Sequence, residues 1–472
     1  MVSSSQPTVM MSISQPQVGP RKVCYIVATP EGAVWIYEQL RDLRDRYQFD
    51  VSVILNGERG SLVDLFRGAG IPVHVANFDF TSNADLLSLP RKVAYLVRLL
   101  RRERYDVVQT HLFHSMVIGR IAAWFADVPV RLSMIAGPFH LEAYTPRWID
   151  RATCWLDTVI IPSCEFSRHL YRKMGVSDRR LTLIYYGPDE RKFDPDRIPA
   201  HDLRAEYGWA SDAPLIGMVA YFYPKLGFNR WTPPAAQGHS NKRQEDLIRA
   251  VPRVLAKRPK AKFLLVGSGW EEGGRAHMAQ MQQLVAELGL KDSVIFTGFR
   301  TDIPAVLRAL DVAVQASISE NLGGTIEALL MKCPTIATRS GGMTDSVIDG
   351  VTGVLVNPCD PAGLADGILQ LLEDRIHASA CAAEGRKRML ARFTLRNTVD
   401  DLALLYRRAW PGPKRGYRWY VLPLRLVVGS LLCGMIVLRY VVLDAILLPL
   451  YDTGWRPWNA LKRVFGRQRG AV

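Results

Sequence analysis

Val23–Ala28 (VCYIVA) is apolar at every position and stops at Thr29-Pro30-Glu31-Gly32. A strand buried on both faces reads this way, because neither face is left for water. A helical pattern follows over Ala33–Tyr47. Further buried runs fall at Val51–Leu55, Pro72–Val75, Asp106–Thr110 and Val159–Pro162, with helical stretches at Ser61–Gly68, Leu87–Glu103 and Ser163–Met174. Ser163 is the expected N-cap of the last of these, since its hydroxyl can accept a first-turn N–H. The alternation restarts at Leu215–Ala220 and runs through Phe263–Val266, Val294–Gly298, Val312–Gln315, Thr335–Thr338 and Val354–Val356. Short helices are expected at Asp302–Ala309 and Ile326–Met331. Strands that alternate with helices predict parallel, doubly wound sheets. The pattern occurs twice, with the Asp- and Pro-rich segment Asp194–Pro199 as the linker. The expectation is an α/β protein with two Rossmann-like domains over residues 21–200 and 201–395, and a closing helix over 396–412.

Composition narrows the partners. The chain has 472 residues, 48% hydrophobic and 22% charged, enough to bury more than one core. A formal net charge of +15 suits nucleic acid, an anionic membrane surface or a phosphorylated substrate. No Lys/Arg run interleaves with aromatics, and neither zinc-finger spacing nor a helix-turn-helix pattern occurs, so nucleic acid ranks last. The seven cysteines are scattered with no CxxC, which points to a reducing compartment and away from a structural metal. Residues 1–20 lack a basic start and a long apolar core, and read as a disordered leader.

The densest chemistry lies in Ser317–Gly342, SISENLGGTIEALLMKCPTIATRSGG. Glu320 precedes Gly323-Gly324, and a helix starts directly after the pair. Free N–H groups and the helix dipole at such a start attract phosphate, so Gly323, Gly324 and Thr325 are candidates to hold one. Glu327, one turn in, can accept hydrogen bonds from sugar hydroxyls. Lys242 opens the helix after Tyr221–Asn241, a loop longer than βα connections usually are. A cation is disfavoured at a helix N-terminus unless an anion is near. At the strand ends of the first half, Gly32 and the loop holding His140 are placed to line a cleft, as is His111. Gly32 also reads as a plain turn glycine, and His111 as a structural strand-end histidine.

The Ser317–Gly342 stretch resembles the donor-site signature of family 4 glycosyltransferases of the GT-B fold. The likeness runs from roughly Lys22 to Tyr406 and is strongest from Leu215 onward. It implies two facing domains and transfer from a nucleotide sugar to an acceptor held by the first domain. Retention of anomeric configuration and no cofactor or required metal are implied too. It implies that Lys242 binds the diphosphate, with Arg243 and Lys225 the candidates to replace a missing arginine, that Glu327 holds the ribose and that Glu320 contacts the donor sugar. Phe299 and Arg300 would flank the base. The chain departs from the family at three places. Glu320 and Glu327 stand one residue closer than usual, Ala136 fills the position of a loop histidine for which His140 is the candidate substitute, and Tyr221 stands where an arginine is usual. Those departures keep two rivals open, a non-catalytic scaffold of a polysaccharide complex and a sugar-nucleotide epimerase.

The tail, residues 413–472, reads differently. Leu426–Leu438 is an uncharged apolar run of 13 residues. As a helix it is about 20 Å long, short of a roughly 30 Å hydrocarbon core. Arg and Lys flank it on both sides, with Trp419, Tyr420, Trp455 and Trp458 at the edges. That suits a helix associated with an anionic membrane surface. The expectation is a transferase at the cytoplasmic face of the cell membrane, working on a polyprenyl-linked saccharide.

Overall fold

The computed structural model describes residues 19–80 and 83–412, and beyond them 427–431, 434–435 and 438. The expected leader lies outside the described residues, apart from residues 19 and 20. So does most of the tail.

Two parallel sheets carry the described chain. The first contains β1 (Lys22–Val27), β2 (Asp50–Leu55), β3 (Val73–Val75), β4 (Val107–His111), β5 (Val130–Ile135) and β6 (Val159–Pro162). Its spatial order is β3-β2-β1-β4-β5-β6. The second contains β7 (Leu215–Val219), β8 (Lys262–Val266), β9 (Val294–Gly298), β10 (Val312–Gln315), β11 (Thr335–Thr338) and β12 (Val354–Val356), in the order β12-β11-β10-β7-β8-β9. Renumbered within the domain, the second order is the first read backwards. Both are the doubly wound arrangement that the repeated alternation predicted. Register is set early in each sheet: Val23 to Val27 pair residue by residue with Val51 to Leu55 on one side and with Val107 to His111 on the other.

Burial explains why these runs carry no alternation. Val23, Tyr25 and Val27 pack into one hydrophobic cluster, and Cys24 and Ile26 into another on the opposite face. Helices cover both faces, so each side chain from Val23 to Val27 is removed from water.

Several elements escape the sequence pattern, the helices Tyr144–Thr153 and Glu271–Glu287 among them. The helix Phe113–Phe125 is buried nearly all round, leaving no polar stripe to mark it. It is followed by β5, which pairs with both β4 and β6. The Asn83–Glu103 helix starts ahead of the expected Leu87 and continues through Pro90. The helix expected at Ser163–Met174 spans Glu165–Lys173, and its N-cap is Cys164, whose sulfur accepts from Ser167 N at 3.4 Å.

The closing helix, Leu395–Ala409, returns to the first domain. Leu395, Val399, Leu402 and Tyr406 join the cluster of Val23 and Tyr25. Tyr406 donates to Gln109 Oε1 at 2.8 Å and lies 3.0 Å from the Tyr25 hydroxyl.

Among the described residues no helix is long and apolar enough to cross a membrane. The described tail residues are helical. Val428 packs on the cluster beneath the Phe113–Phe125 helix, while Val427, Leu431, Met435 and Leu438 form an exposed apolar stripe.

Candidate functional site

In an open parallel sheet the crevice lies beyond the strand C-termini, where strand order reverses. That point falls between β1 and β4 in one sheet and between β7 and β10 in the other. The loops leaving these strands meet across the domains. Gly32, after β1, has φ 62°, and a Cβ there would lie 3.9 Å from Trp270 of the second domain. A Cβ on Gly137, after β5, would lie 3.8 Å from the Asn321 Cβ. Ser319 donates to the Glu142 carboxylate across the same gap. The cleft holds a cavity of about 710 Å³.

The second domain supplies its polar wall. Lys242 and Glu320 form a close ion pair there. Burial pulls the Lys242 ammonium down, but the Glu320 carboxylate outweighs it and holds the lysine above its ordinary range. Glu320 also accepts from Ser317 Oγ at 3.3 Å and from the Asn321 N–H at 3.2 Å. Its loop is clamped by the glycine turn: Gly342 N donates to the Glu320 carbonyl at 3.2 Å. Gly341 has φ 52°, and a Cβ there would lie 1.8 Å from that same oxygen, so no other residue fits.

Glu327 is the third residue of the Thr325–Leu330 helix, capped by Gly324. Six residues give a small dipole, so the free first-turn N–H groups contribute more to an anion site than the dipole does. Burial pushes the Glu327 carboxyl up to about 7, Glu38 of the first domain adds to the rise, and Lys242 opposes it. Gly323, with φ 55°, turns the chain into this helix.

The first domain supplies an apolar wall of Leu112, Phe113, Met116 and Phe139, with His140 among them. His140 is buried, and its Nε2 has no hydrogen-bond partner. Burial pushes its pKa down to about 4, so it is neutral at pH 7. His111 does not reach the cavity. It is fully buried between Tyr25 and Trp35, and burial takes its pKa to about 3. His111 is a buried strand-end residue, as the structural reading expected, but its partner is the Gln109 side-chain amide at 3.1 Å and not a backbone carbonyl.

Of the candidates, Lys242, Glu320 and His140 line the cavity, while Gly32, Gly323, Gly324, Thr325, Glu327, Arg243, Phe299 and Arg300 fall outside its lining. Arg243 sits at φ 57° ahead of the Gln244–Lys257 helix, which turns its side chain back onto that helix. Its guanidinium is held by Asp246, Glu245 and His239 rather than aimed at the cleft. Arg300 grips Asp302 and Glu206 and ties two segments of the second domain together. Phe299, 63% exposed, stands at the end of β9. At the family's arginine position Tyr221 lies edge-on to Trp270 at 5.3 Å, with Tyr223 on the same indole at 6.2 Å. The cleft therefore has an aromatic face where a cation was usual.

The long Tyr221–Asn241 loop is an ordered strap. Leu226 and Gly238 close its base, with Leu226 N donating to His239 O at 2.9 Å and Gly238 N to Leu226 O at 2.8 Å. Its tip crosses to the first domain, where Arg230 O accepts from Thr145 N at 3.0 Å and Trp231 packs beside Phe80 and Phe113. Length alone marked this loop as unusual, but its docking surface could not be read from sequence. Among the described residues no three His, Cys, Asp or Glu side chains converge as a metal site requires.

Two family models match the chain. Residues 32–187 match the glycosyl transferase 4-like domain and residues 235–374 match glycosyl transferases group 1. The UDP-Gal:alpha-D-GlcNAc-diphosphoundecaprenol alpha-1,3-galactosyltransferase of Escherichia coli is 24% identical over 82% of this chain and 96% of its own. The putative glycosyltransferase EpsD of Bacillus subtilis is 27% identical over 76% and 89%. Anabaena HepE, solved in complex with UDP, shares the fold with a TM-score of 0.65 at 22% identity, over 81% of this chain and 99% of that one. The two family matches, these relatives and the shared fold support a glycosyltransferase of the GT-B type.

Proposed function

We propose that this protein moves a sugar from a nucleotide-sugar donor to a membrane-held, polyprenyl-linked saccharide, with retention of configuration and without a required metal. The observation that carries the donor half is the Lys242–Glu320 pair beside Glu327, at the point where both sheets reverse strand order. Lys242 exchanges Glu320 for the donor diphosphate, and the released carboxylate meets hydroxyls of the donor sugar. Charge on the leaving diphosphate grows as the glycosidic bond breaks, so a fixed ammonium stabilises the transition state more than the ground state. Glu327 accepts from the ribose hydroxyls, and the Gly323–Thr325 N–H groups meet phosphate oxygens. HepE was solved with UDP, which makes uridine the first base to try.

The acceptor half rests on the first domain. Its wall is apolar, and the neutral His140 offers a ring nitrogen to an acceptor hydroxyl at the cavity. The lipid carrier is supported by the exposed stripe of Val427, Leu431 and Leu438 and by the E. coli relative, whose name includes a diphosphoundecaprenol. The basic surplus suits the cytoplasmic face of an anionic membrane.

Ala136 and Tyr221 at family active-site positions favour one second reading, a scaffold that binds donor and transfers nothing. The test is transfer by the full chain in liposomes, using a panel of nucleotide sugars and a lipid-diphosphate saccharide, with the product anomer read by NMR. We expect one donor to give a product of retained configuration. Inversion would overturn the retaining assignment, and donor binding without product would establish the scaffold.

A further inference from the structure

A second pocket, of about 320 Å³, opens on the first domain, beyond the cleft. The Tyr144–Thr153 helix contributes Tyr144, Arg147, Trp148 and Arg151, which at spacings of three and four residues share one face. The Glu165–Lys173 helix and its end contribute Leu170, Lys173 and Met174. The three cations are exposed, and none has a carboxylate partner among the described residues. On the Glu165–Lys173 helix Arg168 is paired with Glu165 and Arg172 with Asp178. The pocket is therefore a local concentration of uncompensated positive charge on an apolar and aromatic floor.

Its frame is rigid. Directly behind the cationic face, Asp150 is fully buried and paired with Arg120, which also binds Asp157 at 2.7 Å. The network ties the Tyr144–Thr153 helix to the Phe113–Phe125 helix and to the turn before β6. The pocket also adjoins the cleft by chain continuity. His140 lines the cavity, and Tyr144, four residues on, lines the pocket. The strap reaches the same place, with the Arg230 guanidinium 5.3 Å above the Tyr144 ring.

We propose that this pocket binds the phosphate or diphosphate ester of an amphiphile. Arg147, Arg151 and Lys173 hold the anion, and Trp148, Leu170 and Met174 take the first apolar carbons. Arginine forks match phosphate oxygens two at a time, which a surface lysine cluster alone does not. An apolar floor disfavours free inorganic phosphate, whose hydration shell it cannot replace. Trp148 and the tail residue Val428 pack on the same hydrophobic cluster, so an attached chain has an apolar path toward the exposed tail stripe. As an account of the acceptor this rests on the proposed function: the saccharide lies in the cleft while its lipid-phosphate end is gripped here. As a binding site it stands alone.

The test uses the full chain and its Arg147→Ala, Arg151→Ala, Lys173→Ala triple variant. Binding of farnesyl diphosphate is measured by calorimetry, and flotation is measured with phosphatidylcholine vesicles with and without phosphatidylglycerol. Protection by a nucleotide sugar and the melting temperature monitor the fold and the cleft. We expect farnesyl diphosphate affinity to fall roughly tenfold or more per arginine lost, with donor protection unchanged. Loss of farnesyl diphosphate binding with flotation intact assigns the site to the acceptor's diphosphate. Loss of both extends it to phospholipid headgroups. Equal farnesyl diphosphate affinity in the two proteins, or none in the wild type, overturns the proposal. If farnesyl diphosphate binds through these residues but no nucleotide sugar binds at all, the pocket stands and the transferase reading fails.

Discussion

The two domains share one strand order but face the cleft with opposite chemistry. The second domain presents charge: Lys242 and Glu320 line the cavity, with Glu320 held by a turn at Gly341 that admits no side chain, and Glu327 lies behind them. The first presents mainly apolar and aromatic side chains and a neutral histidine, with the Glu142 carboxylate taken up by Ser319 at the gap, and it buries Arg120, Asp150 and Asp157 behind that wall. An identical scaffold thus separates two tasks. In the cleft Lys242 and Glu320 pair with each other, and behind the first domain's wall the buried Arg120, Asp150 and Asp157 hold helices in position.

The largest effect expected is on that sealed network. Arg120→Ala strands two buried carboxylates and should cost about 3–5 kcal/mol of stability. Chemical denaturation should show the loss in the transition of the first domain, and an unchanged midpoint would mean the network is not structural. Next in size is the donor wall. Glu327→Ala should weaken nucleotide-sugar binding by about 1.5–3 kcal/mol, or roughly 10- to 150-fold, by calorimetry. A change within twofold would remove Glu327 from the site.

A pH titration sharpens the same contrast. The folded protein holds the Glu327 proton up to about pH 7, above the carboxyl's ordinary value of 4.5. Its contribution to stability is therefore present at low pH and is lost as pH rises from about 4.5 to 7. Donor hydroxyls need the ionised acceptor, so donor affinity should fall as pH drops below 7, by at most about tenfold per pH unit. Glu327→Gln should flatten this slope, and a slope that survives would assign it to another group. The smallest effect should come from Phe299→Ser. Phe299 is 63% exposed at the end of β9, so donor affinity should stay within about twofold. A larger loss would restore it as a base platform.

Legibility followed burial and direction. All the strands but β5 could be read because residues buried on both faces leave unbroken apolar runs. The Phe113–Phe125 helix could not, since a helix apolar all round has no 3.6-residue stripe. Glu320, Glu327 and the glycine pairs could be singled out because a glycine turn before a helix start is encoded locally. Arg243 and Arg300 were misplaced because sequence adjacency to a site does not set side-chain direction. A left-handed backbone turned the first onto its own helix, and distant Glu206 captured the second. The strap's contact with Phe80 and Phe113, and the pocket of Arg147 and Lys173, join segments far apart in the chain that no local pattern links.

The division of labour between the walls is tested most directly at Lys242. Dissociation constants for a nucleotide sugar and for its bare nucleoside should be measured on the wild type and on Lys242→Ala. The account predicts that the variant loses roughly tenfold or more for the nucleotide sugar and under twofold for the nucleoside, because only the former carries the diphosphate. Equal losses for both ligands, or none for either, would contradict a diphosphate site on the second domain's wall.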